Sequence, residues 1–246
     1  MGNRGARDDL YDCNFYAKQA QASLESARVV ARLMTELLKP DKVVDIGCGL
    51  GTWLRAFREN GARSLRGFDG DHIDRSRLSI DGFEFVAVDL SQPFEIDGGY
   101  DLSICVEVAE HLPGSISRHL IDSLTHAAPV VLFSAALPGQ GGTGHVNEQW
   151  PEYWRELFDS RGFRMVDAIR PRIRDDARIR WWYRQNLVLF AHDMALAAHP
   201  ELRTANGAPG NAIEWVHVNM LREAGLRNLM CHLRPALLKA LRHRIH

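Results

Sequence analysis

The sequence of 246 residues predicts an α/β fold in which helices cover both faces of a largely parallel β-sheet. From residue 42 onward, short β-rich segments alternate with helical segments, which is the pattern of strands joined by crossover helices. The first strand runs into the glycine-rich stretch "VVDIGCGLGTWL" at residues 43–54, and such turns open the first unit of parallel sheets that bind ligands. The last two β-rich segments lack room for an ordinary crossover helix between them, so we expect an antiparallel pair.

The chain begins with a predicted helix. Apolar residues recur at helical spacing from residue 16 to 38, and Pro40 ends the pattern. Strands are then predicted in "KVVDI", "SLRGF", "FEFVAV", "YDLSICV" and "PVVLFSA", with helices near residues 52–60, 72–79 and 115–126. Together these elements predict a leading helix followed by the parallel part of the sheet.

The closing part of the sheet is predicted from "FRMVDAI" and "WYRQNLVLFA". A helix is expected from Pro151, ahead of the first of these strands, and a polar loop at 170–180 joins the two. Trp181 and Trp182 stand at the start of the last strand in this interpretation. The two strands are therefore adjacent along the chain and antiparallel in the sheet.

The pattern changes after Ala191. A turn-rich connector is followed by apolar residues at spacings of three, four or six, and Gly225 and Pro235 divide this segment into two or three short helices. We therefore expect three parts, which are an N-terminal helical lead (1–40), a core domain (41–191) and a C-terminal helical extension (192–246). The extension is expected to serve as a lid, a homodimer surface or a docking element.

Composition narrows the classes of partner. The chain has 30 basic and 31 acidic residues, so no overall charge draws it to nucleic acid or to a membrane surface. The longest apolar stretch, near "APVVLFSAAL", is too short to span a bilayer, and "MGNRGARDDL" does not resemble a secretory signal. The four cysteines show no paired spacing, which suits a reducing compartment. We expect a cytoplasmic protein.

The glycine turn indicates the kind of ligand. Its spacing is G-x-G-x-G, from Gly47 to Gly51, whereas dinucleotide sites use G-x-G-x-x-G. Asp45 stands just ahead of it, and an acid there would repel a pyrophosphate and attract a cationic ligand. This favours a ligand such as S-adenosylmethionine, which carries an ammonium and a sulfonium.

Two further acids follow the next strands. Asp69 ends the second strand, where a carboxylate is placed to accept both ribose hydroxyls of an adenosine. Asp89 follows the third strand, where its side chain is expected to accept from the adenine amine while the amide of Leu90 donates to the ring. The three strand ends together predict an adenosine site.

In this order and spacing, the stretches "VVDIGCGLGTWL", "LRGFDGDHID", "FVAVDLSQP" and "YDLSICVEVAEHLP" resemble the successive motifs of the class I S-adenosylmethionine-dependent methyltransferases. The resemblance covers about residues 42–190 and implies a Rossmann-like seven-stranded sheet whose last strand is antiparallel. It implies S-adenosylmethionine as cofactor and S-adenosylhomocysteine as product. Residues 41–191 would be the methyltransferase domain that binds the cofactor. The cofactor-binding residues that it implies are Asp45, Gly47, Cys48, Gly49, Asp69, Gly70, Asp89, Leu90 and Glu107.

The resemblance implies that Glu107 lies near the methionine amine and contacts it through its backbone. Gly70 departs from the family, which usually has a larger residue packing on adenine at that position, so His72 or Ile73 is expected to take that part. The stretch "GHVNEQWPEYW" resembles that of bacterial methyltransferases that accompany glycan or secondary-metabolite assembly. The expected substrate is accordingly a small molecule.

Methyl transfer to a hydroxyl needs a base within hydrogen-bond reach. His111 follows the fourth strand, and His145 and Glu148 follow a glycine-rich loop after the fifth. We predict His145 as the base, oriented by Glu148, with His111 as a second catalytic candidate. The structural alternative is that these are hydrogen-bonded structural residues and that Glu148 or Asn147 caps the next helix.

Other interpretations stay open at this level. No spaced cluster marks a metal site, so no metal is predicted, although possible ligands occur in Glu110-His111 and in His145-Asn147-Glu148. Trp150, Tyr153 and Trp154 are either core residues, which their spacing favours, or rings that stack on an acceptor. An N-methyltransferase, a non-catalytic adenosine-binding regulator and a nicotinamide-dependent oxidoreductase are the alternatives. Nucleic acid is excluded as substrate by the lack of a basic stripe and of an N-P-P-Y type motif.

Overall fold

A computed structural model describes residues 13–81 and 84–204, with side chains from residue 23 to 202. The helices predicted beyond residue 204 lie outside the described residues, as do residues 1–12 and 82–83. Within the described part of the chain, no helix is both long and apolar enough to cross a lipid bilayer.

The core of the protein is a seven-stranded sheet, which confirms the predicted fold class. The strands are β1 (Lys42–Ile46), β2 (Ser64–Asp69), β3 (Phe85–Ala87), β4 (Leu102–Val106), β5 (Val130–Ser134), β6 (Phe163–Val166) and β7 (Val188–His192). Their order is β3-β2-β1-β4-β5-β7-β6. β7 runs antiparallel to both β5 and β6, and the pairs among β1 to β5 are parallel. The carboxyl ends of β1, β2, β4 and β5 therefore meet at one edge.

Helices cover both faces of this sheet. They are α1 (Cys13–Leu38), α2 (Thr52–Glu59), α3 (Ser117–Ala127), α4 (Pro151–Asp159), α5 (Arg170–Ile173), α6 (Trp181–Asn186), α7 (Asp193–Ala198) and α8 (Pro200–Thr204). Side chains alternate across each strand, so Ile104 of β4 packs with α1 and α2 while its neighbour Cys105 packs with α3 and α4. Each face thus has its own apolar cluster, as expected for a sheet buried on both sides.

The prediction that Trp181 and Trp182 start the last strand is wrong. Both belong to α6, and β7 begins only at Val188. The aromatic residues resemble a strand in the sequence, but the polar pair Gln185 and Asn186 ends the helix with buried side chains that hydrogen-bond to the loop after β5. A tertiary polar network has therefore overridden local β-propensity.

Two other predicted elements differ from the structure. The segment at 72–79 contains only a single 3-10 turn, Arg75–Arg77, whose residues are all exposed and therefore lack a face that could pack a full helix. The loop predicted at 170–180 contains α5. Arg170, at its start, is buried in a two-pronged ion pair with Asp167 and donates to the carbonyl of Gln185 at 3.3 Å. The hydrogen bond from Arg170 to Gln185 links α5 to α6.

Candidate active site

The glycine turn after β1 forms as predicted. Gly47, Gly49 and Gly51 have φ angles of 83°, 52° and 76°, which a side chain rarely adopts. At Gly47 a Cβ would also overlap the methyl groups of Val108. Gly51 is the N-cap residue of α2, so the turn leads from the end of β1 to a helix N-terminus.

The two acids nearest this turn differ in exposure. Asp69 lies at the surface of the turn, where its Oδ2 accepts from the Gly49 N–H at 2.6 Å and its Oδ1 from the Gly70 N–H at 2.6 Å. Asp45 lies beneath it, 2% exposed, and its Oδ2 has no hydrogen-bond partner among the described residues. Burial first, and then the charge of Asp69, raise the pKa of Asp45 well above its ordinary value. The accessible carboxylate is therefore that of Asp69.

Cys48 points away from this surface. Its side chain is buried against Gly67 of β2, where a Cβ would approach the sulfur to 2.6 Å. Burial raises the pKa of the thiol strongly. Only the backbone of Cys48 is therefore available at the turn.

Residues after β2 and β3 surround the predicted adenine position. The imidazole of His72 folds against Gly70, where a Cβ would overlap it, and its Nε2 lies 4.0 Å from Oδ1 of Asp69. Asp89 accepts from the backbone N–H and hydroxyl of Ser91 at 2.9 and 2.6 Å, and these hydrogen bonds lower its pKa. Leu90 is buried beside it. The small residue at position 70 thus makes room for His72.

Glu107 lies at the end of β4 in a left-handed conformation, with a φ of 55°. Its carboxylate accepts from the hydroxyl of Ser134 at 2.8 Å, from Asn186 Nδ2 at 3.1 Å and from Gln140 Nε2 at 3.3 Å. Burial raises its pKa, while these hydrogen bonds oppose the shift. The side chain of Glu107 is therefore engaged in a polar network, whereas the resemblance implied a role for its backbone.

Sequence reasoning missed the other members of this network. Gln140 Oε1 accepts from Gln185 Nε2 at 3.1 Å and from Asn186 Nδ2 at 3.0 Å, and all three side chains are buried. One signal was present, since a Gln–Asn pair inside an apolar segment has to find partners when it is buried. The network joins the loop after β5 to α6.

The three predicted catalytic residues come together at the ends of β4 and β5. The rings of His111 and His145 meet edge to face with centroids 4.8 Å apart. His145 Nδ1 lies 2.9 Å from Oε1 of Glu148. The N–H groups of Val146 and Asn147 donate to the carbonyl of Glu110 at 2.8 and 3.0 Å, so the loop after β5 is fastened to the turn after β4.

Neither polar residue next to α4 caps that helix. Glu148 accepts from the N–H groups of Gly139 and Gly141 at 2.8 and 2.9 Å, which closes the glycine loop around it. Asn147 is buried and donates to the hydroxyl of Ser117 at 3.1 Å. The helix begins instead with Pro151 in its first turn. The capping alternative is thus wrong for both residues.

Glu110 adds a fourth group to this cluster. It is fully buried, and neither carboxylate oxygen has a partner with hydrogen-bond geometry among the described residues, although Glu107 and the backbone of Ala136 lie close enough to influence it. Burial and the charge of Glu107 raise the pKa of Glu110 to about 9. Burial also lowers the pKa of His111, as does the neighbouring His145.

Glu110, His111 and His145 each offer one atom that could bind a metal, and these atoms lie within 4.8 Å of one another. The sequence analysis predicted no metal because it found no spaced cluster. The fold assembles one from two loops that are distant in sequence, so the spacing that usually reveals a metal site is lacking.

The aromatic residues near the loop pack in or against the apolar clusters. Trp154 is 3% exposed and packs on Phe133 with ring centroids 5.2 Å apart, as the core interpretation predicts. Trp150 and Tyr153 are partly buried. Val146, next to His145, is 68% exposed, so an apolar side chain stands beside the catalytic candidates.

The chain is similar to a known protein family and to solved structures. The family model described as a methyltransferase domain matches residues 16–168. A search of curated proteins finds no match to this chain.

Two solved structures illustrate the similarity of fold, and a third is matched over only about half of its own length. DesVI from Streptomyces venezuelae is 14% identical, with 77% of this chain and 100% of that chain covered and a TM-score of 0.55. Magnesium protoporphyrin IX methyltransferase from Synechocystis, with bound S-adenosylhomocysteine, is 20% identical, with coverages of 70% and 84% and a TM-score of 0.52. A protein from Nostoc punctiforme is 15% identical, with coverages of 67% and 55% and a TM-score of 0.49.

Proposed function

The chain belongs to the class I S-adenosylmethionine-dependent methyltransferases, and on this basis we propose that it methylates a hydroxyl group of a small molecule. The proposal is supported most by the cluster of His111, His145 and Glu148 in the loops after β4 and β5. An acceptor that is already a nucleophile needs no positioned base, whereas a hydroxyl does. A sugar, a glycan precursor or a secondary metabolite is the class of acceptor that we propose.

The residues at the glycine turn fit the cofactor. Asp45 is a buried carboxylate with an unpartnered oxygen, and a cationic ligand above it favours its ionised form. The oxygens of Asp69 each accept one backbone hydrogen bond and retain capacity for hydroxyl donors. When bound, S-adenosylmethionine supplies an electrophilic methyl group on a sulfonium and leaves as S-adenosylhomocysteine.

We assign the individual contacts from these positions. Asp45 and the backbone of Gly47, Cys48, Gly49 and Glu107 hold the methionine part, and Asp69 holds the ribose. Asp89 and Leu90 bind the adenine edge, and His72 covers the face that Gly70 leaves open.

For the proton of the acceptor, the proposal follows the sequence prediction that His145 is the base. A carboxylate at Nδ1, here Glu148, fixes the tautomer that leaves Nε2 as the proton acceptor. A positioned base of this kind contributes about 10²- to 10⁴-fold to the rate.

The proposal extends to organisation and location. Residues 1–40, 41–191 and 192–246 act as helical lead, methyltransferase domain and extension, and the extension serves as a lid, a homodimer surface or a docking element. Cys48 and Cys105 are both buried free thiols, which supports a cytoplasmic location.

The test is a screen of hydroxylated small molecules with an isotopically labelled methyl donor, each paired with the analogue that lacks the hydroxyl. We expect label on oxygen in the parent protein, and a His145→Ala protein with intact cofactor affinity should lose about 10²-fold or more in kcat. His119→Ala, exposed on α3, is the matched control. Label on nitrogen only would contradict the hydroxyl acceptor, and a His145→Ala rate within about threefold of the parent would contradict the base.

A further inference from the structure

We propose that Glu110, His111 and His145 form a binding site for one divalent first-row transition-metal cation. The three ligand atoms lie within 4.8 Å of one another. Around a cation with bonds of about 2.0–2.2 Å, such atoms lie roughly 3–4 Å apart, so small side-chain rotations complete the set. One carboxylate and two imidazoles suit zinc, manganese or iron.

Glu110 is the strongest indication of a missing partner. Its side chain is 0% exposed, and no described group meets either of its oxygens with hydrogen-bond geometry. Buried carboxylates are normally paired, hydrogen-bonded or bound to a metal because an isolated one is costly. The Glu110 carbonyl holds Val146 and Asn147, so the position of the residue is fixed by the loop that carries His145. Glu107 and the backbone of Ala136 lie near this carboxyl group without meeting hydrogen-bond geometry, and a cation would give it a paired partner.

His145 is oriented as a metal ligand is. Metal-binding histidines usually give their other ring N–H to a carboxylate or carbonyl, and here Nδ1 lies 2.9 Å from Glu148. That contact directs the lone pair to Nε2. Gly142 lies against Nε2, and a Cβ at this position would overlap the ring nitrogen. The glycine therefore leaves space at the atom that would bind the cation.

His111 provides the route of entry. Its side chain is exposed, unlike that of Glu110, and its ring lies edge to face with His145. Three protein ligands leave at least one coordination position open, as in catalytic rather than structural metal sites. The open position is where an acceptor oxygen would bind.

This inference rests on the proposed function for its acceptor and changes one step of it. A hydroxyl bound to the cation has a lower pKa and loses its proton to water. His145 then acts as a ligand, and no free imidazole base is needed. Binding of the cation and methylation of a hydroxyl are measured separately, so each idea can fail alone.

The experiment titrates the chelator-stripped full chain with Zn²⁺ by calorimetry and with Co²⁺ by visible absorption. We expect one ion per chain, with a Co²⁺ spectrum of nitrogen and oxygen ligation. Glu110→Gln and His111→Ala should each weaken binding by at least about tenfold, and Glu148→Gln by about tenfold through His145. Undiminished affinity in both Glu110→Gln and His111→Ala, with thermal unfolding of both proteins like that of the parent, overturns the site.

Two glycines of the same loop supply a matched pair. Gly142→Ala should abolish high-affinity binding of the ion, because the added methyl group takes the space at Nε2 of His145. Gly141→Ala also introduces a side chain at positive φ, 72°, but no described atom lies within 4 Å of that Cβ, so binding should stay within about threefold of the parent. Equal loss in the two variants would contradict the role of Gly142.

Turnover with and without the ion completes the test. If the stripped enzyme regains hydroxyl methylation on addition of Zn²⁺ or Mn²⁺, the cation has the role proposed here. If the stripped enzyme turns over at the parent rate, the catalytic part of this inference is wrong and the His145 base step stands. If no hydroxyl is methylated although one ion binds, the proposed acceptor fails and the site does not.

Discussion

The two halves of the candidate site are built differently. On the cofactor side, at the ends of β1 and β2, both oxygens of Asp69 accept backbone N–H groups. On the acceptor side, at the ends of β4 and β5, Glu110 is fully buried and its oxygens lack such partners among the described residues. Both halves contain a buried carboxylate with an unpartnered oxygen, Asp45 in the first and Glu110 in the second. They differ because the accessible acid of the first half is fixed by backbone N–H groups, whereas the second half is built mainly from side chains.

This difference shows which contacts fix the geometry of each half. The cofactor side is local, since each contact joins a strand end to the turn that follows it or to the adjacent strand. The acceptor side joins loops that are distant in sequence through the carbonyl of Glu110, and the contact of His145 with Glu148 fixes a side chain within one of them. Substitutions in the first half should act through the backbone, and those in the second through single side chains.

The largest effect is expected for Gly47→Ala, which tests the cofactor side. The residue has a φ of 83°, and its new methyl group would overlap Val108. We expect a loss of about 3 kcal/mol or more in the free energy of unfolding and no measurable cofactor binding. Thermal unfolding and titration with S-adenosylhomocysteine measure both quantities.

Gly49→Ala is the control for this substitution. Its φ is 52°, but no described atom lies within 4 Å of the added Cβ, so the cost should be about 1 kcal/mol. Equal destabilisation by the two substitutions would mean that the contact with Val108 is unimportant.

An intermediate effect is expected for Asp69→Ala. The substitution removes the acceptor of two backbone N–H groups and of the proposed ribose contacts, each charge-assisted contact being worth about 1.5–3 kcal/mol. The affinity for S-adenosylhomocysteine should fall by about 100-fold or more. Asp69→Asn keeps one acceptor oxygen, so its affinity should lie between those of the parent and of Asp69→Ala. An Asp69→Ala protein with the affinity of the parent would show that Asp69 does not bind the cofactor.

The smallest effect is expected for Val146→Ala, which tests the acceptor side. The side chain is 68% exposed, so the free energy of unfolding should change by less than about 0.5 kcal/mol. The KM for the acceptor should rise a few-fold while the cofactor affinity is unchanged, because the exposed apolar side chain next to His145 is shortened. A changed cofactor affinity would show that the two halves are not separable in this way.

The sequence was sufficient for the sheet and for the glycine turn because both are local patterns. Alternating segments predicted β1 to β5, and Gly47 to Gly51 predicted the turn. The same local reasoning misassigned Trp181 and Trp182 to a strand, since the burial of Gln185 and Asn186 against Gln140 is a tertiary contact.

The candidate site could be predicted in part for the same reason. His111, His145 and Glu148 were selected from their loops, and the structure brings them together. Asp45 was selected as an acid just ahead of the turn, and its burial beneath the turn could not be read from that position. The cluster with Glu110 was missed because its members become neighbours only when the two loops pack.

The two hydrogen bonds from Val146 and Asn147 to the Glu110 carbonyl have a consequence for the divergence of such enzymes. A chimera that replaces residues 139–150 alone with a loop of another conformation misplaces the two backbone N–H groups that hold the Glu110 carbonyl. New acceptor ranges should therefore arise, or be engineered, by exchanging this loop together with the turn after β4 as one cassette.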